Sequence, residues 1–149
     1  MKRLLFTLLI LPLLTLSNAR PLAAQETQPA PLEAFILQVA RLWAAGDAAA
    51  LADLAPGDGR IHLDVGETSG AVQGRHAAAA LRALFAERES LSLRPARVTV
   101  AGGRPLRGFG ELTWMSRSRG VTVPHSSTVY VGTVWEGNAW RIRELRLLP

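Results

Sequence analysis

The spacing of apolar residues is mostly helical up to about residue 88 and wholly extended beyond it, and that division limits the folds open to the chain. Before it, Leu32, Phe35, Ile36, Val39, Leu42 and Trp43 recur at the i, i+3, i+4, i+7 interval of one helical face. Pro31 is tolerated in a first turn, and Gly46 predicts the stop. Asp47 then suits the N-cap of a second, shorter helix, AAALADLA, which Pro56 and Gly57 end. In RIHLDVG the period is already two, with Ile61, Leu63 and Val65 alternating against Arg60, His62 and Asp64. ETSG turns the chain, AVQG pairs back, and a third helix runs from about His76 to Arg88 with Ala77, Ala78, Leu81, Leu84 and Phe85 as its buried stripe. Four extended runs follow: LSLRPARVTV, LRGFGELTWMSR, STVYVGTVWE and AWRIRELRLL. The stretches AGGRP, SRGVTVPH and EGN separate them and are rich in turn residues. Helices first and a long antiparallel meander after is an α+β layout, in which helices cover one face of a curved sheet.

The domain begins only near Leu32. Lys2 and Arg3, the apolar run LLFTLLILPLLTL and the small residues of SNARPLAAQ form a secretory signal peptide over residues 1–24, cleaved after Ala19 or Ala24. The run is shorter than the ~20 residues a spanning helix needs, and Pro12 interrupts it, so no membrane anchor is expected after cleavage. Residues 25–31, QETQPAP, read as a polar tail, and residues 32–149 as one domain of an exported, periplasmic or secreted protein. The chain has no cysteine, so disulfides cannot support the core. Of 17 Lys and Arg residues, Lys2, Arg3 and Arg20 lie in or beside the leader. The remaining 14 face 12 acidic residues, and no dense basic run is interleaved with aromatics, so nucleic acid is not an expected partner.

The segments LWAAGDAAALADLAP and GRHAAAALRALFAE, set before four long strands, resemble the nuclear transport factor 2-like superfamily, the cone-shaped fold shared by ketosteroid isomerase and limonene epoxide hydrolase. With LDVGETSGAVQGRHAAAALRALF and VYVGTVWEGNAWRIRELRL, the chain is also similar to a family of small exported bacterial proteins of unknown function within that fold, over about residues 32–148. The resemblance implies the cone and leaves chemistry open, because the superfamily hosts isomerases, dehydratases, epoxide hydrolases and binding modules. Ketosteroid isomerases use a carboxylate base with a Tyr and a protonated Asp. Here Tyr130 is the sole tyrosine and no Asp follows Asp64, so that set does not map. The Asp-Arg-Asp arrangement of the epoxide hydrolases lacks late Asp residues in the same way.

Within IHLDVGETSG, His62, Asp64 and Glu67 gather an imidazole and two carboxylates. Alternation puts His62 and Asp64 on one face of their strand, pointing either into the cone or outward to solvent or a dimer. Two groups do not complete a metal site, and Glu67 lies in the turn. In LRGFGELTWMSR, Leu112 and Trp114 share a face with Gly108 and Gly110, while Phe109, Glu111, Thr113 and Met115 share the other; the glycines predict bends or bulges. The last strand is out of phase, with Trp140 and Ile142 on one face and Leu145 and Leu147 on the other. Either a bulge near Arg143 and Glu144 rephases it, or both faces are covered, which implies a homodimer through the outer sheet face. His76 opens the third helix, and His125, beside Ser126 and Ser127, sits in no nucleophile elbow. VGETSGAVQG lacks the Lys of a phosphate loop, and no cofactor or metal is expected. The reading is a non-catalytic domain binding a small apolar ligand or a protein partner. Trp43, Trp114, Tyr130 and Glu144 are its expected pocket residues. The alternative is a small lyase, isomerase or hydrolase using His62, Asp64, Glu111 and Tyr130 as acid-base or hydrogen-bonding groups.

Overall fold

The structure, a computed structural model, describes residues 29–149. The proposed signal peptide and all but the end of the tail lie outside the described residues. Three helices, α1 (Leu32–Ala44), α2 (Ala48–Ala52) and α3 (Gly74–Glu87), accompany six strands. These are β1 (Arg60–Val65), β2 (Thr68–Gln73), β3 (Arg88–Gly102), β4 (Arg107–Ser118), β5 (His125–Glu136) and β6 (Ala139–Leu148). They form one sheet in the order β2-β1-β6-β5-β4-β3. Every neighbouring pair is antiparallel except β1 and β6, which run parallel. Among the described residues no helix is long and apolar enough to cross a membrane.

The first helix stops where Gly46 takes φ +68°. The Gly46 N–H donates to the Trp43 carbonyl and the Asp47 N–H to the Leu42 carbonyl, the paired bonds of a Schellman motif. Asp47 then caps α2, its carboxylate accepting the Ala50 N–H at 3.1 Å. That helix is shorter than AAALADLA implies: the chain leaves it after Ala52 in a turn. The β1–β2 turn is tighter too, because Thr68, Ser69 and Gly70 belong to β2 and only Gly66 and Glu67 lie between the strands. Arg119, beyond β4, closes α3. Its N–H donates to the Glu87 carbonyl, and its guanidinium donates to the Ala86 and Phe85 carbonyls at 2.8 and 3.2 Å.

The helices cover one face of the sheet. Leu32, Ile36, Val39 and Trp43 of α1 and Ala77 and Leu81 of α3 form one buried cluster with Ile61, Leu63, Leu112, Trp114, Val129, Val131, Ile142 and Leu145. Trp43 meets Trp114 edge-on, with ring centroids 5.4 Å apart, and Phe85 at 5.2 Å. Gly108 and Gly110 mark no bulge in the β4–β5 pairing, which has no register shift; the irregularities fall between β3 and β4, at Ser90/Ser92, Pro95/Arg97 and Val100/Gly102. The two glycines instead let α1 lie directly on the sheet. A Cβ at Gly110 would stand 2.8 Å from Ile36 Cδ1, and one at Gly108 would overlap Leu32 Cδ2.

A bulge resolves the phase of the last strand. Glu144 pairs with Gly132 and Ile142 with Thr133, so Arg143 is the extra residue. Trp140, Ile142 and Leu145 are thereby all buried on the helix side. Leu147 joins them, partly buried against the core. Of the two alternatives for the phase of this strand, the structure therefore has the bulge.

Candidate functional site

Once β1 is placed beside β6, the direction of His62 and Asp64 follows. Ile61, Leu63 and Val65 enter the core, so His62 and Asp64 point to the outer face, away from the helices. Strand register lines up two rows there. In one, His62 lies beside Glu144, Glu144 opposite Gly132, and Gly132 opposite Phe109. In the other, Asp64 lies beside Arg146, Arg146 opposite Tyr130, Tyr130 opposite Glu111, and Glu111 opposite Arg97. The expected acid-base residues thus do share a face, on β1, β5 and β4 with β6 between the first two, but it is the open face of the sheet. Glu67 does not join them: among the described residues no group of three such side chains is placed to hold a metal ion.

The expected pocket divides between the two sides of the sheet. Trp43 and Trp114 are fully buried under the helices, whereas Tyr130 and Glu144 stand on the outer face, and a sheet one residue thick separates the pairs. The sequence sets each residue's phase along its strand but not which phase meets the helices. Trp114 donates its indole N–H to Ser90 Oγ at 2.9 Å, with the Arg88 guanidinium 5.8 Å from its ring centroid, as a core residue does. The Trp43 N–H and the Ser116 hydroxyl are buried with no hydrogen-bond partner among the described residues.

On the outer face Phe109 and Tyr130 stack, with centroids 5.7 Å apart and planes 24° from parallel. Gly132, opposite Phe109, puts no side chain beside the rings. The space beyond is a groove of about 490 Å³, lined in part by Arg107, Phe109, Tyr130, Gly132, Arg143 and Glu144. Ala101 and Pro105, around the β3–β4 loop, wall one end. The Leu106 carbonyl in that loop accepts the Trp135 N–H at 2.8 Å, which ties the loop to β5. Phe109 was legible as a face partner of Glu111. Arg107 belongs to the same alternation, whereas Gly132 depends on the β4–β5 register and Arg143 on the β6 bulge.

Ion pairs hold much of the charge on this face. Arg143 donates to Asp58 at 2.8 Å, a contact that, with the Arg60 N–H, holds the Asp58 carboxyl below its ordinary range. Arg146 lies 3.7 Å from both Asp64 and Glu144, and Arg97 lies 3.5 Å from Glu111. Burial pushes the Tyr130 phenol above its ordinary pKa; Glu144 and Glu111 add to that shift and Arg146 opposes it. A phenol that stays protonated can donate a hydrogen bond into the groove. A second, more apolar cleft of about 330 Å³ lies between the start of α1 and the β5–β6 hairpin, lined by Phe35, Leu54, Trp135 and Trp140. There the Trp140 indole donates to the Ala30 carbonyl at 2.7 Å.

No protein-family model and no curated sequence matches the chain. Solved structures do. A DUF4783 family protein from Bacteroides uniformis superposes with a TM-score of 0.59 at 17% identity, over 73% of this chain and 91% of that one. A domain of unknown function with a cystatin-like fold from Nostoc punctiforme gives 0.61 at 14% identity, over 78% and 74%. A hypothetical protein with a ketosteroid isomerase-like fold from Catenulispora acidiphila, solved in complex with trimethylamine, gives 0.58 at 16% identity, over 76% and 83%. At these identities the likeness concerns architecture, and the chain has the nuclear transport factor 2-like fold, an α+β cone of helices on a mixed sheet.

Proposed function

We propose that this is an exported, non-catalytic binding domain that holds a small, largely apolar ligand in the groove on the outer face of its sheet. The observation that carries the reading is the meeting of the Phe109–Tyr130 stack with Gly132, where a side chain is missing beside two aromatic rings. Volumes of roughly 300–1,000 Å³ with apolar walls and a few charged groups at the rim are typical of small-molecule sites. Export rests on the N-terminal sequence alone. The non-catalytic reading rests on where the acid-base candidates stand. His62, Asp64 and Glu111 lie on an open face, where water screens a developing charge that an enclosed site would stabilise.

A two-dimensional NMR screen of small aromatic and aliphatic molecules against the mature protein tests this. The reading requires hits that move the amides of Gly108, Phe109 and Gly132 and that are lost in Gly132→Val, which fills the groove. Hits that move only the amides around Phe35 and Trp140 would place the site in the other cleft. A halving of tumbling rate with no hits would favour a second copy on this face.

A further inference from the structure

On that reading of the groove, we propose that its ligand is a compact zwitterion: an apolar body lying on Phe109, a cationic group toward Glu144 and an anionic group toward Arg107. The order of residues on the face supplies the argument. Arg107 and Phe109 are two apart on β4 and point the same way, Gly132 lies opposite Phe109, and Glu144 lies opposite Gly132. Guanidinium and ring therefore lie along β4, ring, gap and carboxylate lie across the sheet, and Phe109 stands at the corner between the two charges.

The two end charges are the least committed ones in the groove. Arg143 is hydrogen-bonded to Asp58 at 2.8 Å. Arg107 has no ion pair within 4.0 Å among the described residues. Glu144 has only Arg146, at 3.7 Å and shared with Asp64, and that contact is to Oε1. Its other oxygen, Oε2, leans over Gly132, 3.3 Å from where a Cβ would stand and beside Tyr130 Cε1 at 3.5 Å from the same point. The carboxylate is thus presented to the empty side of the aromatic stack, where a cation would meet both charge and ring. A ligand with a single charge would match one end and leave the other bare; an uncharged one would displace water from both without replacing its hydrogen bonds. Two strand spacings across and two residues along, about 12 Å on the diagonal, separate the backbones of Arg107 and Glu144. The long Arg107 side chain shortens that distance to the reach of an amino-acid-sized molecule.

The test is an NMR titration of the mature protein with four probes that share a phenyl group: phenylalanine, phenethylamine, hydrocinnamate and hydrocinnamamide, which are respectively zwitterionic, cationic, anionic and neutral. Phenylalanine is expected to move the Gly108, Phe109 and Gly132 amides at a concentration about tenfold lower than either singly charged probe. Arg107→Ala should bring phenylalanine down to the level of phenethylamine and leave phenethylamine unchanged. Glu144→Gln should bring it down to the level of hydrocinnamate and leave hydrocinnamate unchanged. Equal binding of hydrocinnamamide and phenylalanine at these amides overturns the zwitterion and keeps the groove. Failure of all four probes to move them overturns both.

Discussion

Gly108, Gly110 and Gly132 offer an internal experiment, because the three glycines lie on the same sheet, the first two under α1 and the third on the open face. An alanine Cβ at Gly108 would overlap Leu32 Cδ2 and lie 2.9 Å from the Thr99 carbonyl oxygen, which is backbone and cannot rotate away. At Gly110 it would lie 2.8 Å from Ile36 Cδ1 and 3.0 Å from both Cγ1 and Cγ2, so no rotamer of Ile36 clears it and α1 must lift. At Gly132 it would lie 3.0 Å from Glu144 Cβ, on the open face and beside a bulge, where the neighbour can yield. Overpacking a core by one methyl group typically costs about 1–3 kcal/mol, and replacing Gly by Ala returns about 0.4–1 kcal/mol through the unfolded chain, so Gly108→Ala and Gly110→Ala should each lose about 1–2 kcal/mol. Gly132→Ala should stay within about 0.5 kcal/mol of the parent. Urea unfolding followed by tryptophan fluorescence reads the difference: the inner-face variants should fall by about 1 M in midpoint at unchanged slope. Ile36→Val, which removes the nearest atom, should restore part of the loss in Gly110→Ala and none in Gly108→Ala. Equal midpoints for all three glycine variants would mean that α1 does not rest on β4, and the account of these glycines would fail.

Three further outcomes follow from single side chains. Ser116 is fully buried with no partner for its hydroxyl among the described residues, so Ser116→Ala should be neutral or stabilising by up to about 1 kcal/mol in the same urea assay. Arg119→Ala removes the guanidinium from the carbonyls of Phe85 and Ala86 and should cost about 1 kcal/mol, with faster hydrogen exchange confined to the last turn of α3. Tyr130 is the only tyrosine, so tyrosinate absorbance titrates it alone. Its midpoint should lie above the ordinary 10.0, and Glu144→Gln should lower it without abolishing the shift, because burial is the larger cause. A folded-state pKa raised in this way means stability that is whole below the unfolded pKa and falls as pH rises through the folded one. Denaturation midpoints should accordingly decline in alkali, less steeply in Glu144→Gln and Tyr130→Phe.

The fold was legible because its cues are local, whereas the site depends on how separate elements meet. Helical spacing from Leu32 to Trp43, the Gly46–Asp47 junction and the alternation of β1 and β4 each involve residues within a few positions of one another, and each reads directly as an element. The direction of a face is another matter. Period two shows that His62 and Asp64 point together and that Phe109 and Glu111 point together, but the pattern is the same whichever face the helices choose. Most decisive is the residue with the weakest sequence signal, Arg143. Were β6 regular, Leu145 would share a side with Arg143 and Arg141, on the outer face, and burying it would demand a partner. With Arg143 as the extra residue, Leu145 enters the core and Glu144 comes to stand beside Gly132. One inserted residue thus takes Leu145 off that face and supplies the carboxylate at the edge of the groove. The outer face that results carries ion pairs at Asp64, Arg146, Glu144, Arg97 and Glu111, which a flat protein partner would have to desolvate. A small ligand at the Phe109–Tyr130 stack would leave most of them in water.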